Sequence, residues 1–317
     1  HIYGQEVNPE TYAIAKADML VKGQGQDSDN IYFGSTISSD FLAGHTFDFM
    51  LSNPPYGKNW KIDLEKIGAG ESKNLKDNVI DSRFVTTHKG DGDFRMIPDV
   101  SDGQLLFLLN NISKMKDTEM GSRIVEVHNG SALFTGGVGN GANNARKYMI
   151  ENDLIEAIIE LPENMFYNTG ISTYIWILSN RKEERRKGKI QLINASSIKT
   201  SLRKNMGKKN CEFSQYDQKK ILNLYLDFEE NEYSKIFDND EFGYYQVTVE
   251  RPLRQAVRVD DETLSEFNAI LKGLGVLDGE FDAKALKEYK DKGVKSTKGS
   301  KTELADTDKM KAYLEIM

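Results

Sequence analysis

Short apolar runs alternate with helix-spaced apolar positions from the start of the chain to about residue 195. Ile2–Gln5, Asn30–Phe33, Phe47–Ser52, Arg123–His128, Leu154–Leu161, Thr173–Ser179 and Lys189–Ala195 each read as a strand. Between the first two, Asn8 is a capping residue and Pro9 suits the first helical position. Tyr12, Ala15, Met19 and Leu20 follow at helical spacing, and Gly23 closes that helix. Gln104–Lys116, with Leu105, Leu106, Leu108, Leu109, Ile112 and Met115, predicts an apolar helix, and Asn143–Asn152 a further one. Strands alternating with helices predict an α/β fold, a doubly wound and mostly parallel sheet with helices on both faces. The last two strands have little helix between them, which predicts an antiparallel pair. Residues 58–101 are polar and Gly-rich without periodicity, and long excursions of this kind are usually functional or mobile.

The pattern changes after about residue 196. Residues 199–209 carry Lys199, Arg203, Lys204, Lys208 and Lys209, residues 227–241 are acidic, and 287–301 are Lys-rich. From Asp260 helical patterns dominate, with Leu264, Phe267, Ile270, Leu271 and Leu274 forming an apolar stripe. The expectation is two regions: 1–195, a catalytic core, and 196–317, a peripheral, mainly helical region for subunit docking.

Composition narrows the classes. The 317 residues hold 42 Lys+Arg against 49 Asp+Glu, a net charge of −7, with 38% hydrophobic residues. That supports a core and excludes a wholly disordered chain. No stretch approaches the roughly 18 unbroken apolar residues of a membrane span, so no membrane partner is expected. A single cysteine, Cys211, excludes an internal disulfide framework, and a reducing, cytoplasmic setting fits. The acidic balance argues against a whole-surface nucleic-acid binder but leaves room for a local basic patch.

Asn53-Pro54-Pro55-Tyr56 carries the strongest chemical signal, because an apolar strand runs straight into it. Ligands of open parallel sheets sit beyond the carboxyl ends of strands. Two prolines fix φ and remove donors, and residues before proline are held extended. The Asn53 amide oxygen and the Pro54 carbonyl are then two rigid acceptors suited to an exocyclic amine of a nucleobase. Together they would draw its lone pair out of conjugation toward a methyl donor. Tyr56 offers a flat face for a base turned out of a duplex, as enzymes acting on bases require.

Other signals are weaker. Gly137-Val138-Gly139-Asn140-Gly141-Ala142 mimics a dinucleotide fingerprint but does not follow its strand directly, so an NAD-dependent oxidoreductase is a minor alternative. Cys211 lies in a Lys-rich stretch with no proline beside it, which discounts cytosine-C5 chemistry through a cysteine nucleophile. His1, His45, His88 and His128 show no ligand spacing, so no metal is expected. Arg181–Lys189, with six positive and two negative charges, is an exposed loop suited either to solvent or to a DNA backbone.

The chain resembles the modification subunit of type I restriction-modification systems, a family of adenine-N6 DNA methyltransferases. The resemblance rests on Ile2–Pro9, Leu51–Gly57, Asp102–Leu108, Asn129–Phe134 and above all Leu161–Thr173. It implies a class I methyltransferase fold that uses S-adenosyl-L-methionine on a flipped adenine of duplex DNA. It also implies a specificity subunit and a restriction subunit as partners. By the same resemblance Asn53, Pro54, Pro55 and Tyr56 are catalytic, and Glu6 binds the ribose hydroxyls of the cofactor. Ser35 and Thr36 lie near its adenine, although Ser35 replaces the acidic residue common in relatives. Phe166, with Tyr167 beside it, offers a second aromatic for the target base. The family's first strand and glycine-rich cofactor loop would lie upstream of His1, so a truncated fragment with poor cofactor binding is expected. The competing class is a catalytically incompetent methyltransferase-like scaffold.

Overall fold

In the computed structural model the chain opens with a strand–helix–strand unit. β1 (Gly4–Glu6) and β2 (Ile31–Phe33) pair in parallel as a separate two-stranded sheet, joined by α1 (Pro9–Val21). The structure describes residues 1–245 apart from Asn168, together with Val247, Ser265, Asn268 and Ala269. Asn8 caps α1 as predicted: its side chain accepts from the backbone N–H groups of Glu10 and Thr11, and Pro9 has no N–H to satisfy. Tyr12, Ala15 and Met19 are half-buried, whereas Leu20 is exposed.

β3 (Phe49–Ser52) begins the main sheet. The excursion that follows is ordered by scattered apolar anchors, not by a period. It contains α2 (Lys61–Ile67) and the antiparallel hairpin of β4 (Val85–His88) and β5 (Asp91–Arg95). Trp60, Leu64, Val79, Phe84, Phe94, Met96 and Ile97 from this stretch enter the main core. Next come α3 (Gln104–Ile112), β6 (Arg123–Asn129), α4 (Ser131–Phe134), α5 (Gly141–Glu151), β7 (Ile155–Glu160), β8 (Thr173–Ser179) and β9 (Lys189–Asn194). The remaining elements are β10 (Thr200–Met206), β11 (Lys209–Glu212), α6 (Gln215–Asp227) and β12 (Ser234–Asp238).

The main sheet has the order β12-β9-β7-β8-β6-β3. β3, β6, β7 and β9 run one way; β8 and β12 run the other. The predicted antiparallel pairing of Thr173–Ser179 with Lys189–Ala195 is not formed. β8 lies between β6 and β7, antiparallel to both, and β9 passes beyond it to pair in parallel with β7. The apolar character of β8 explains this, since a strand buried on both faces belongs inside a sheet. Trp176 and Leu178 enter one core cluster and Ile177 the other. Ala142, Ala145 and Met149 of α5 and the leucines of α3 belong to the first cluster, and Ile221 of α6 to the second. Helices therefore cover both faces, as expected of the fold class.

The chain divides into two compact units, His1–Gln246 and Val247–Met317. The expected division near residue 195 falls inside the first unit, because β12 pairs with β9 and Ile221 joins the core. Residues 200–238 are a hairpin, a helix and a sheet strand, not a helical appendage. Leu264, Phe267, Ile270, Leu271 and Leu274 lie outside the described residues. Among the described residues no helix is long and apolar enough to cross a membrane.

Candidate active site

Because β3, β6, β7 and β9 share a direction, their carboxyl ends share one edge of the sheet. That edge presents Asn53 after β3, Gly130 after β6, Leu161 after β7 and Ala195 after β9. In α/β sheets this is the edge where ligands bind.

Asn53 is exposed and Pro54 buried, so the turn is rooted in the protein while the amide stays accessible. Tyr56 is half-buried, and its hydroxyl donates to Asn53 Oδ1 at 2.6 Å. Burial pushes the Tyr56 phenol above its ordinary value, which keeps it protonated as a donor. The Asn53 amide oxygen is thus already engaged by a neighbouring side chain.

Gly57 ends the turn with φ of +58°, a left-handed conformation that favours glycine. Its N–H donates to Asp102 Oδ1 at 3.2 Å. Asp102 Oδ2 accepts from Gln104 Nε2 at 2.5 Å and from Ser131 Oγ at 2.9 Å. Gln104 Nε2 also donates to Asn129 Oδ1 at 2.8 Å, and Gln104 Oε1 accepts from the Asn129 N–H at 3.2 Å. Its carbonyl also lies 3.0 Å from Nδ1 of the fully buried His128. This network ties the turn after β3 to the start of α3 and the end of β6. Sequence reasoning used Asp102, Gln104, Asn129 and Ser131 only as marks of resemblance. Polar residues at two strand–helix junctions were the available signal.

Glu6 stands at the end of β1, and its Oε1 accepts from the Asn8 N–H at 2.7 Å. The Ser35 hydroxyl donates to Asp63 Oδ1 at 2.6 Å, and its oxygen receives the Ile37 and Ser38 N–H groups. Ser35 is thus engaged in holding its own loop to α2. The Thr36 carbonyl accepts from Arg83 at 2.7 Å. Asp63 and Arg83, both from the excursion after β3, went unnoticed in the sequence because nothing local marks them.

Phe166 and Tyr167 lie in the loop after β7, on the same edge as Asn53. Phe166 packs against the second core cluster, whereas Tyr167 is 55% exposed. Asn140 caps α5 by accepting from the Ala142 N–H, so the Gly137–Ala142 segment is a helix entry. Cys211 is buried with its thiol toward the Glu163 carbonyl. Among the described residues no His, Cys, Asp and Glu cluster could hold a metal ion.

The N-6 DNA Methylase family matches residues 1–260. The type I restriction enzyme MjaVII methylase subunit of Methanocaldococcus jannaschii is 30% identical over 248 residues, covering 76% of this chain and 38% of that protein. The crystal structure of a type I restriction-modification methyltransferase subunit from Streptococcus thermophilus superposes with a TM-score of 0.59. Its identity is 26%, and the match covers 75% of this chain and 44% of that one. A modification subunit of a putative type I restriction enzyme from Vibrio vulnificus shares the fold at 16% identity and a TM-score of 0.52. There the match covers 77% of this chain and 45% of the other. The chain therefore spans less than half the length of each of these relatives. With a match whose bounds, residues 1–260, take in β3, its asparagine–proline turn and the loop after β7, the chain belongs to the N-6 DNA methylase family.

Proposed function

We propose that this chain is the catalytic portion of a DNA adenine-N6 methyltransferase, the modification subunit of a type I restriction-modification complex. The observation that carries the reading is the rigid pair of acceptors, Asn53 Oδ1 and the Pro54 carbonyl, at the carboxyl end of β3. Asn53 and Pro54 each accept one N–H of the adenine amine, and Pro55 keeps the turn from moving. Tyr56 releases Asn53 and stacks on the flipped base, an interaction worth on the order of 1–3 kcal/mol. Phe166 borders the same edge and supplies a second apolar wall, with Tyr167 the more exposed ring.

The residues present fit the ribose and adenine end of S-adenosyl-L-methionine, which would supply the methyl group. One carboxylate oxygen of Glu6 receives the Asn8 N–H, leaving the other to accept from a ribose diol. Ser35 and Thr36 follow β2, the strand paired with β1, and border the position of the cofactor adenine. The Ser35 hydroxyl is occupied by Asp63, so its contribution is to shape the loop. Duplex DNA is the substrate, and a specificity subunit and a restriction subunit are the protein partners.

The test is Asn53→Ala in the whole subunit, assembled with its specificity partner. Loss of an acceptor aimed at the reacting amine costs roughly 10²-fold or more in methyl transfer, with assembly intact. Methylation of a cognate duplex at the parental rate removes the assignment.

A further inference from the structure

The hairpin of β10 and β11 follows β9 directly, so it rises from the same sheet edge that carries Asn53. Residues 199–209 hold five cationic side chains, Lys199, Arg203, Lys204, Lys208 and Lys209, and no acidic one, in a chain of net charge −7. All but the half-buried Lys209 are exposed. None of the five forms a salt bridge among the described residues.

The hairpin is fastened to the loop after β7. The Lys208 N–H donates to the Tyr167 carbonyl at 3.1 Å, and the Asn210 N–H to the Asn164 carbonyl at 3.0 Å. Lys209 Nζ lies 5.2 Å from the centre of the Tyr167 ring. Gly207 takes φ of +62°, and a Cβ there would stand 2.9 Å from the Tyr167 carbonyl oxygen. The tip is therefore held against the aromatic loop by backbone contacts, while its cations form no salt bridge among the described residues; Glu212, at the base of the hairpin opposite Thr200, is its one acidic residue.

We infer that the β10–β11 hairpin is a phosphate-binding arm that holds the backbone of duplex DNA beside the loop carrying Phe166 and Tyr167. The inference rests on the methyltransferase reading above. The seven residues of β10 span about 20 Å, enough to pass several phosphates of a duplex that carries one charge per roughly 1.7 Å of axis. The cations are distributed along that length, at 199, 203–204 and 208–209. Contacts of this kind position a duplex without reading its sequence. An acidic protein surface is the competing partner, and the test separates the two.

The probe is a fluorescein-labelled duplex of about 20 base pairs, two helical turns, titrated with the present chain and followed by anisotropy. Arg203→Gln, Lys204→Gln and Lys208→Gln together should weaken binding on the order of 10- to 100-fold at about 0.1 M salt. The slope of log affinity against log salt should become shallower by roughly 2–3, about 0.9 for each lost phosphate contact. Arg203→Lys with Lys204→Arg should restore parental behaviour. Unchanged circular dichroism melting shows that the glutamine variant folds. As a comparison, Arg181→Gln, Arg185→Gln and Lys187→Gln together should leave the affinity unchanged.

The inference is overturned by parental affinity in the hairpin variant, by equal losses in both variants, or by failure of the parent chain to bind duplex at low salt. It is also overturned if polyglutamate competes with the duplex at equal charge concentration. If Asn53→Ala leaves methylation intact while the hairpin variant loses duplex, the methyltransferase reading falls and the arm stands. If Asn53→Ala abolishes methylation while the hairpin variant binds normally, the arm alone falls.

Discussion

Two basic segments lie close together in the sequence and end up at opposite edges of one sheet. Residues 181–189 join β8 to β9 at the amino edge; residues 199–209 rise from the carboxyl edge. The first carries the larger number of cations, six against five, yet almost all of them are used internally. Lys182 Nζ meets Asp153 at 2.6 Å with its side chain only 1% exposed. Arg186 is buried against the rings of Tyr225 and Phe228 and donates to Gln191 Oε1 and to the Tyr225 carbonyl. Arg181 pairs with Asp117, Arg185 with Glu183 and Lys187 with Glu184. Burial lowers the Lys182 and Arg186 values, with Asp153 opposing it for Lys182 and Tyr225 and Glu156 for Arg186. Positive charge in a sequence therefore says little about a partner until the anions around it are counted. The amino edge spends its cations on the fold, and the carboxyl edge keeps its cations for something else.

The sharpest break of this comparison exchanges rate for stability. At the carboxyl edge Asn53→Ala should lower methyl transfer roughly 10²-fold or more and leave the thermal midpoint unchanged. At the amino edge Arg186→Ala should do the reverse. It removes a buried guanidinium, leaving Gln191 Oε1 and the Tyr225 carbonyl short of a donor. A loss of about 2–4 kcal/mol is expected, read as a lower urea midpoint with duplex affinity retained. If Arg186→Ala weakened DNA binding without touching stability, the two edges would not differ as described.

Asp102→Ala comes next. The Gly57 N–H and the Ser131 hydroxyl lose their acceptor, so the turn holding Asn53 loosens. Small misplacements of reacting groups are costly, and kcat should fall roughly 10-fold with KM for DNA little changed. A change confined to KM would place Asp102 in DNA binding instead.

Tyr56→Phe keeps the ring and removes the donor that occupies Asn53. The hydrogen bond is worth about 0.5–1.5 kcal/mol net, so affinity for a duplex whose target adenine is mispaired should rise several-fold. A fall of similar size in a fluorescence titration would show that the hydroxyl aids base binding.

The smallest effect tests the amino edge by pH. The hydrogen bond from Arg185 holds the Glu183 carboxyl below its ordinary value, opposed by burial and helped by the charges of Arg185 and Arg186. A carboxylate with a lowered folded value adds stability above its unfolded value, and that stability is lost as pH falls through the folded one. Between about pH 5 and pH 3 the urea midpoint should decline slightly less in Glu183→Gln than in the parent. Exposure keeps the difference small. An equal decline in variant and parent would mean the pair does not form in solution.

Much of the site was legible because it is local. Asn8 caps its helix through N–H groups two and three residues away, and Pro9 removes one donor the cap need not serve. An apolar strand running into Asn53-Pro54-Pro55-Tyr56 marks a strand end with rigid acceptors before any fold is known. The 58–101 stretch was not legible as structure, since its buried residues, such as Phe84 and Met96, act singly against distant partners. The hydroxyl donated by Tyr56 to Asn53 was also invisible, because it depends on a side-chain rotation that spacing does not specify.

By itself the sequence determined the class of fold, the turn that carries the acceptors, and the family. The first two follow from periodicity, caps and proline geometry, which act over a few residues; the family follows from the resemblance of motifs such as Leu51–Gly57 and Leu161–Thr173. The tertiary structure decided the place of β8 between β6 and β7, since burial on both faces is a property of the assembled sheet. It also decided which cations are free. Lys182 finds its carboxylate 29 residues away and Arg186 its carbonyl 39 residues away. Charges at such separations meet only after the chain has closed, and among the described residues none of the five cations at 199–209 forms a salt bridge.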